Sequence, residues 1–457
     1  MASEKKRGKR RKSHGARGEL WKLVRQFRRV ELEVEKATHY EGRQLYLRAR
    51  MLGPGLIAGA ADDDAGGVST YSIVGATTGF ALSWLLLVST PMLIAIQRSC
   101  ALLGDVTKKG LATLVKEKFG KNVALFAAFA LAVSNIAAIA ANLAGMSVSL
   151  ELVSGIKWYY SLIPLATAIL YVTVYRSFRT IQKALIYLSL ALLAYIVSGF
   201  LAKPDWGAVL ASTFIPKIEF STAFLIAGVG LLGTTIAPYL FFWQTATEIE
   251  AKRTEKQRKK VDFDIFAGMF YSNLVSYFIM LSSAAMLYPR LQALGGLSAL
   301  QNAADPVKFI AEALRPAAGD YSFYLFALGL FTASTLAIIV LSSSTAYVVS
   351  ETLDWKRGLN KKVRQARGFY GVIVASVAAG IAVLLAGAKP IDAMFYSQVL
   401  AGIIDPILLF LIVKLASDRE LMGQYAISGW IKWFAWTTFG VVTLFDLLLF
   451  SQIIFGG

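Results

Sequence analysis

The sequence predicts an all-α polytopic membrane protein with eleven transmembrane helices, ten of them in two inverted repeats of five. Three observations predict this fold: the composition, the recurrence of long apolar stretches, and a matched pair of broken helices. The 457 residues are 56% hydrophobic and 17% charged, whereas an ordinary globular domain is roughly 25% charged. Mean hydropathy is +0.56, and the single cysteine, Cys100, excludes an intramolecular disulfide.

The apolar stretches are long enough to cross a bilayer. At 1.5 Å rise per residue, about 20 helical residues match a hydrocarbon core of roughly 30 Å. The predicted spans are residues 52–79, 82–103, 121–150, 158–175, 181–201, 221–247, 263–288, 321–350, 369–388, 391–415 and 430–455.

The distribution of basic residues predicts the topology. Sorted by alternate sides, 38 of the 47 Lys and Arg residues fall with the N-terminal tail and seven fall opposite. This asymmetry predicts a cytoplasmic N-terminus and an external C-terminus. The net charge of +18 therefore indicates attraction to anionic lipids of the inner leaflet, and nucleic acid is not an expected partner.

The basic tail, residues 1–50, has two interpretations. Apolar residues recur in it at helical spacing between Arg and Lys, which is typical of an amphipathic helix on the membrane surface. A solvated basic extension is the alternative. The recurring residues are Leu20, Leu23, Val24, Phe27, Val30 and Val34.

Two interrupted spans divide the rest of the chain. Span 1 is interrupted at 64–67 (Asp-Ala-Gly-Gly) and span 6 at 233–238 (Gly-Thr-Thr-Ile-Ala-Pro). Spans 1 and 6 are five helices apart in the chain, and because this number is odd they have opposite orientations. Paired broken helices in such positions indicate a transporter's binding site. The repeats are predicted over 51–203 and 204–418, with an eleventh helix in 419–457.

The first interruption carries three consecutive carboxylates, Asp62, Asp63 and Asp64. One Asp at the bilayer centre costs about 2.5–3.5 kcal/mol on insertion scales, so three are not expected to face lipid. Consecutive residues diverge by about 100° on a helix, so the three cannot share one target. Gly66 and Gly67 can relax the backbone and expose carbonyl oxygens beside Asp64, which predicts a hard-oxygen cation site. The alternative is that these carboxylates only line an aqueous vestibule.

At the second interruption, Pro238 lacks an N–H and frees a carbonyl around Thr234. Taken alone, this is typical of an ordinary proline kink. The match to the first interruption favours a binding site.

These motifs resemble the NRAMP family. Residues 53–55 (Gly-Pro-Gly) followed by 64–67 resemble the family's G-P-G and D-P-G-N, residues 234–239 align with A-T-V-M-P-H, and residues 397–400 match S-Q-V-L. The resemblance implies a LeuT-type fold and proton-coupled uptake of Mn²⁺ or Fe²⁺. It also implies a ligand set, which is Asp64, the carbonyls of Ala61 and Thr234, and Gln398.

Two departures from the family pattern change the expected ion. The family's ligand Asn is Gly67 here, and its ligand Met is Ala237. Loss of the soft thioether removes selectivity for transition metals and opens volume. A wider all-oxygen site with one or two carboxylates, Asp64 and Asp63, suits a partly hydrated Mg²⁺. The pattern resembles the prokaryotic NRAMP-related magnesium transporters.

Proton coupling loses its expected groups as well. The family's helix-6 His is Tyr239, which does not titrate near neutral pH. Its acidic pair in helix 3 aligns with residues 134–138 (Ser-Asn-Ile-Ala-Ala), and the two histidines, His14 and His39, lie in the tail. Because a membrane proton relay needs titratable groups in series, voltage-driven entry without proton coupling is expected.

Four residues are assigned to the ion pathway: Asp62, Tyr239, Asn273 and Asp405. Asp405 follows Gln398 by two helical turns, so both can face one path. The Asp405-Pro406 step is equally consistent with a structural role. For Asn273, a helix–helix hydrogen bond is the competing interpretation.

The leading hypothesis is a secondary transporter that carries Mg²⁺, with Mn²⁺ as a second cargo, across a prokaryotic plasma membrane by alternating access. A proton-coupled Mn²⁺/Fe²⁺ transporter is the alternative. An amino-acid symporter is disfavoured because the Asp residues would repel a substrate carboxylate. An intramembrane aspartyl protease is a remote alternative, since its G-x-G-D and Y-D motifs are absent. The chain is thus expected to be no enzyme and to need no cofactor.

Overall fold

The computed structural model describes residues 58–59, 61–175, 190–251, 255–294 and 306–455. Every regular element in these ranges is helical. The predicted tail helix within residues 1–50 lies outside them. The helices are α1 (Ala65–Thr78), α2 (Ser83–Thr107), α3 (Leu111–Phe119), α4 (Lys121–Ser154), α5 (Trp158–Tyr175), α6 (Ala194–Leu201), α7 (Trp206–Phe214), α8 (Thr222–Thr235), α9 (Pro238–Ala251), α10 (Glu255–Met286), α11 (Tyr288–Leu294), α12 (Pro306–Ala311), α13 (Arg315–Ala318), α14 (Ser322–Thr352), α15 (Arg367–Leu385), α16 (Pro390–Ser417), α17 (Arg419–Met422) and α18 (Gly429–Phe455).

Within the described part of the chain, nine helices are long and apolar enough to cross a membrane, counting α8 and α9 as one interrupted span. The prediction of an all-α polytopic membrane protein is therefore confirmed. The other two predicted spans, 52–79 and 181–201, are described only in part, by α1 and by residues 190–201. The eleven-helix count remains a prediction for those two.

Helix packing follows the reciprocal pattern expected of inverted repeats. The third helices of the two predicted halves, α4 and α14, pack against each other over much of their lengths. The second part of broken helix 1, α1, packs on α10, and its counterpart α9 packs on α2. The second part of each broken helix thus packs against the second helix of the opposite half. The exact boundaries of the halves remain predictions.

Two glycines bring the broken helices close to their neighbours. A Cβ atom on Gly75 of α1 would overlap the Met280 carbonyl of α10. A Cβ atom on Gly233 of α8 would overlap the backbone of α16 at Gln398 and Gly402. Small residues allow such backbone contact between membrane helices. Both broken helices are therefore held against continuous helices.

The basic connection 104–120 is partly helical. It contains the nine-residue helix α3, which packs along α4. The helix forms because Leu111, Leu114 and Val115 are buried on one side, while Lys116 and Lys118 stand in its last turn, where they complement the helix dipole.

Candidate metal centre

The first break lies at Asp63 and Asp64, just before the predicted glycines. Asp64 is extended, with φ −75° and ψ −179°, and α1 begins at the next residue. Its Oδ1 accepts the Gly67 N–H at 2.6 Å, which caps the helix. Gly66 and Gly67 are therefore helical, and the expectation that they relax the backbone is wrong. The capping carboxylate makes the break instead.

The hydrogen bond that would continue helix 1 across the break is replaced on both sides. In an unbroken helix the Ala65 N–H would donate to the Ala61 carbonyl. Instead it donates to Asn142 Oδ1 on α4, at 3.0 Å. The Ala61 carbonyl accepts the hydroxyl of Tyr239 on α9, at 2.7 Å. Side chains from two other helices thus hold the backbone apart.

Asn142 is a site residue that the sequence interpretation missed. Its Nδ2 donates to Asp64 Oδ2 at 2.6 Å, so both oxygens of this carboxylate accept a hydrogen bond. The available signal was a polar residue deep in an apolar helix, two turns after Asn135 and therefore on the same face. Residues 134–138 of the same helix align with the family's acidic pair, whereas Asn142 lies outside that motif.

The second break forms where Pro238 begins α9. Helix α8 ends at Thr235, and Ile236 leaves helical geometry at φ −112° and ψ 50°. Because proline has no N–H, the Thr234 carbonyl has no helical donor four residues on. The Thr234 hydroxyl oxygen is also buried without a hydrogen bond in the described part of the chain. Thr234 therefore has unused oxygen acceptors.

The first turn of α1 brings the two breaks and α16 together. A Cβ atom on Gly67 would lie 2.9 Å from Thr234 Oγ1, 3.1 Å from the Asp62 carbonyl oxygen and 3.3 Å from Asp64 Oδ1. A Cβ atom on Gly66 would overlap the Gln398 amide. The structure therefore gathers Asp64, Thr234 and Gln398 around these two glycines, and their role as metal ligands stays a prediction.

Asp62 and Asp63 turn away from Asp64 toward α10. Asp62 Oδ2 accepts from Ser272 at 2.8 Å, and Asp63 Oδ1 accepts from Ser272 at 3.2 Å and from Ser276 at 3.0 Å. The other oxygen of each carboxylate is buried and makes no hydrogen bond within the described ranges. In the described part of the chain, no three His, Cys, Asp or Glu side chains lie close enough together to hold a metal ion. A metal here would need carbonyl, hydroxyl or amide oxygens as well.

The remaining predicted residues lie elsewhere around the breaks. Ala237 is buried between α8 and α9. The Asn273 amide donates to Thr90 of α2 at 2.9 Å, a helix–helix contact. Asp405 is fully buried in α16, and neither carboxylate oxygen has a hydrogen bond in the described structure. Their roles in the pathway stay predictions.

The charge around the breaks is uncompensated. Asp62, Asp63 and Asp64 are each only 1% exposed, and no buried Lys, Arg or His side chain occurs among the described residues. Isolated buried carboxylates are strongly destabilising unless a cation or a proton compensates them. The arrangement therefore suits a positively charged ligand with oxygen preference.

Sequence comparison assigns almost the whole described region to one family. The profile of the Nramp family, natural resistance-associated macrophage protein-like, matches residues 55–452. The "divalent metal cation transporter MntH" of Bacillus subtilis is 25% identical over 409 residues, which cover 87% of this chain and 91% of that protein. Its namesake from Burkholderia ambifaria is 26% identical and covers 88% and 89%.

Solved structures agree on the fold. The Eremococcus coleocola manganese transporter superimposes with a TM-score of 0.69 at 18% identity, covering 89% of this chain and 87% of that one. MhsT in complex with L-phenylalanine gives a TM-score of 0.59 at 14% identity, covering 88% and 98%. The LeuT-type fold is thereby confirmed. The family match and the MntH relatives, which are named divalent metal cation transporters, also confirm the expectation that the chain is not an enzyme.

Proposed function

The chain belongs to the Nramp family, and from this membership we propose that it carries divalent metal cations, chiefly Mg²⁺ and with Mn²⁺ as a second cargo, across a prokaryotic plasma membrane. Transport proceeds by alternating access and without proton coupling. The distribution of basic residues supports a cytoplasmic N-terminus and an external C-terminus as part of this proposal.

The observation that carries the proposal is the set of oxygen atoms gathered around Gly67. A side chain there would project among the Thr234 hydroxyl, the Asp62 carbonyl and the Asp64 carboxylate. Because Gly67 has no side chain, no group stands between these oxygens, and they are available to a cation. Ala237 adds no donor atom at the second break. The available ligands are then hard oxygens, which suit Mg²⁺.

A thioether does occur nearby, but it has another partner. Met394 lies one helical turn before Gln398 on α16, and its sulfur accepts the Ser69 hydroxyl at 3.2 Å. Methionine sulfur is a soft ligand that would favour a transition metal. Its contact with Ser69 supports a role for Met394 in packing α16 on α1 and leaves the oxygen ligands to set the preference.

Burial of the centre supports alternating access. Asp64, Thr234 and Gln398 are 1%, 1% and 3% exposed, so an ion cannot reach them without helix movement. The far end of α9 is tied to its surroundings through Glu250, which accepts from Tyr347 at 2.5 Å and from Asn360 at 2.7 Å. Movement of the broken helix toward the cytoplasm would have to separate these contacts.

Helix α4 supports transport without a proton. At the position of the family's acidic pair, Asn135 donates to Thr345 of α14 at 3.0 Å, and Ala138 has no titratable group. The remaining driving force is the membrane potential. An interior-negative potential contributes about 2.3 kcal/mol per charge per 100 mV, and about twice that for a divalent cation.

The test is metal uptake into proteoliposomes at a clamped membrane potential, with internal pH followed in parallel. We expect Mg²⁺ to enter without acidification. The matched variant Ala237→Met supplies a soft ligand at the second break and should shift the preference toward Mn²⁺. Ala375→Met, at an exposed position of α15, controls for a thioether added away from the breaks.

The relatives named as manganese transporters favour one alternative, a proton-coupled Mn²⁺ transporter. Acidification that accompanies Mn²⁺ entry, with Mg²⁺ neither carried nor inhibitory, would establish that alternative. It would also refute the proposed role of Gly67 and Ala237 in ion preference.

A further inference from the structure

We propose that Asn142 is a positioning residue that sets the metal preference of the centre by fixing the Asp64 carboxylate. The proposal rests on the proposed function, since it concerns the same ion. Asn142 is fully buried on α4 and contacts both sides of the break: the Asp64 carboxylate and the Ala65 N–H.

The orientation of the Asn142 amide is fixed by its neighbours. The Ala65 N–H can only donate, so the amide oxygen must face it. The amide nitrogen then faces Asp64 Oδ2 at 2.6 Å and the Ala138 carbonyl at 2.9 Å. A flipped amide would set two donors against each other and two acceptors against each other. One side chain thus holds the two faces of the break in a single arrangement.

Helix α4 is a firm support for this amide. It is 34 residues long and uninterrupted, and it packs on α14, α15 and α16. The backbone around Asp64, by contrast, lacks its own helical continuity. The bond from Asn142 to the Ala138 carbonyl ties the amide to α4 itself. The position of the Asp64 carboxylate is therefore set by α4 as well as by helix 1.

This arrangement favours an ion that keeps its water. A carboxylate offers about four lone-pair positions on its two oxygens. The Gly67 N–H occupies one on Oδ1 and Asn142 occupies one on Oδ2. Two short donors reduce the charge that Asp64 presents to a bare ion and leave positions that accept hydrogen bonds from coordinated water. The binding of Mg²⁺ should be weakened least by this reduced charge, because Mg²⁺ dehydrates reluctantly and can bind through its water.

The experiment compares Asn142→Ala with Asn135→Ala in proteoliposomes, with KM and maximal rate measured separately for Mg²⁺ and Mn²⁺. Both variants remove a fully buried amide from the same helix, but Asn135 bonds to Thr345 of α14 and does not contact the break. We expect Asn142→Ala to raise the KM for Mg²⁺ by about tenfold, the scale of a lost hydrogen bond to a charged group. The KM for Mn²⁺ should change less, so the preference for Mg²⁺ over Mn²⁺, measured as the ratio of the two KM values, should become smaller. Asn135→Ala should leave the ratio of the two KM values unchanged.

A second variant, Asn142→Asp, separates the two contacts and keeps the shape of the side chain if Asn142→Ala does not fold. It retains an acceptor for the Ala65 N–H and places a carboxylate where Asp64 needs a donor. We expect it to reduce the Mg²⁺ preference, as the Ala variant does. Wild-type preference in Asn142→Asp, or an equal change in both KM values in Asn142→Ala, would overturn the proposal.

Failure of the proposed function would be visible separately. A wild-type protein that moves neither metal refutes the transport proposal, and calorimetric titration of Mg²⁺ and Mn²⁺ into detergent-solubilised protein then decides the role of Asn142. A smaller affinity ratio in Asn142→Ala than in wild type supports it. An unchanged ratio overturns it.

Discussion

The helical hydrogen bonding of the two broken helices is interrupted for different chemical reasons. At the first break, the Ala65 N–H and the Ala61 carbonyl both exist, but Asn142 and Tyr239 bind them. At the second break, the donor itself is missing, because Pro238 has no N–H. The first interruption combines a local cap, Asp64 on the Gly67 N–H, with contacts from two other helices. The second is encoded in the local sequence alone.

In the proposed metal centre, the two breaks would contribute different ligands. The first would supply the charge, through Asp64, which several hydrogen bonds hold in place. The second would supply neutral oxygens through Thr234, whose hydroxyl oxygen has no hydrogen bond in the described part of the chain. Substitutions at the first break should therefore disturb charge and geometry together, while substitutions at the second should mainly change neutral ligands.

The largest effect is expected for Asp64→Ala, which should abolish metal uptake because it removes the carboxylate at the meeting point of both breaks. Alanine is preferable to asparagine here. Both Asp64 oxygens face fixed donors, so an Asn amide would place its NH₂ against one of them. Uptake of the metal under clamped potential is the measurement.

The matched control for this loss is Asp105→Ala. Asp105 is also a buried aspartate, 3% exposed, and its Oδ1 pairs with Lys108 at 2.6 Å near the end of α2. It should keep most of the uptake. An equal loss of uptake in both variants would mean that removing any buried carboxylate disables the protein. The result would then give no support for Asp64 as a metal ligand.

A smaller effect is expected for Pro238→Ala, which restores the missing N–H. Alanine is favoured over proline by about 3 kcal/mol inside a helix, so the second break should tend to close and engage the Thr234 carbonyl. We expect the KM for Mg²⁺ to rise about tenfold, with thermal stability unchanged or higher. Pro164→Ala in α5 restores an N–H outside the site and should leave the KM unchanged.

An unchanged KM in Pro238→Ala would contradict the comparison. It would show that tertiary packing, through close contact of Gly233 with α16, holds the second break open without proline. Both breaks would then depend on their neighbours.

The sequence predicted most of the fold because hydrophobic length and the pair of interruptions are local signals. It also predicted Asp64, Thr234 and Gln398 at one place, because the motif resemblance fixes their positions relative to the breaks. It did not predict Asn142, since the contact joins residues 77 and 78 positions apart and depends on how α4 faces helix 1. The role of Gly66 and Gly67 was misjudged for a similar reason. Their lack of a side chain matters for contact with Gln398 and Thr234, which local sequence does not reveal.

The smallest effect is expected for Tyr239→Phe, which removes only the hydroxyl that donates to the Ala61 carbonyl at 2.7 Å. Loss of one neutral hydrogen bond is worth about 1 kcal/mol, so the KM for Mg²⁺ should rise by about fivefold as the carbonyl loses its orientation. Tyr370→Phe is a close control, since its hydroxyl donates to the Lys361 carbonyl at the same 2.7 Å but outside the site. A lower KM in Tyr239→Phe would reverse the interpretation. The Tyr239 hydroxyl would then compete with the ion for the Ala61 carbonyl, and this hydrogen bond would weaken metal binding at the first break.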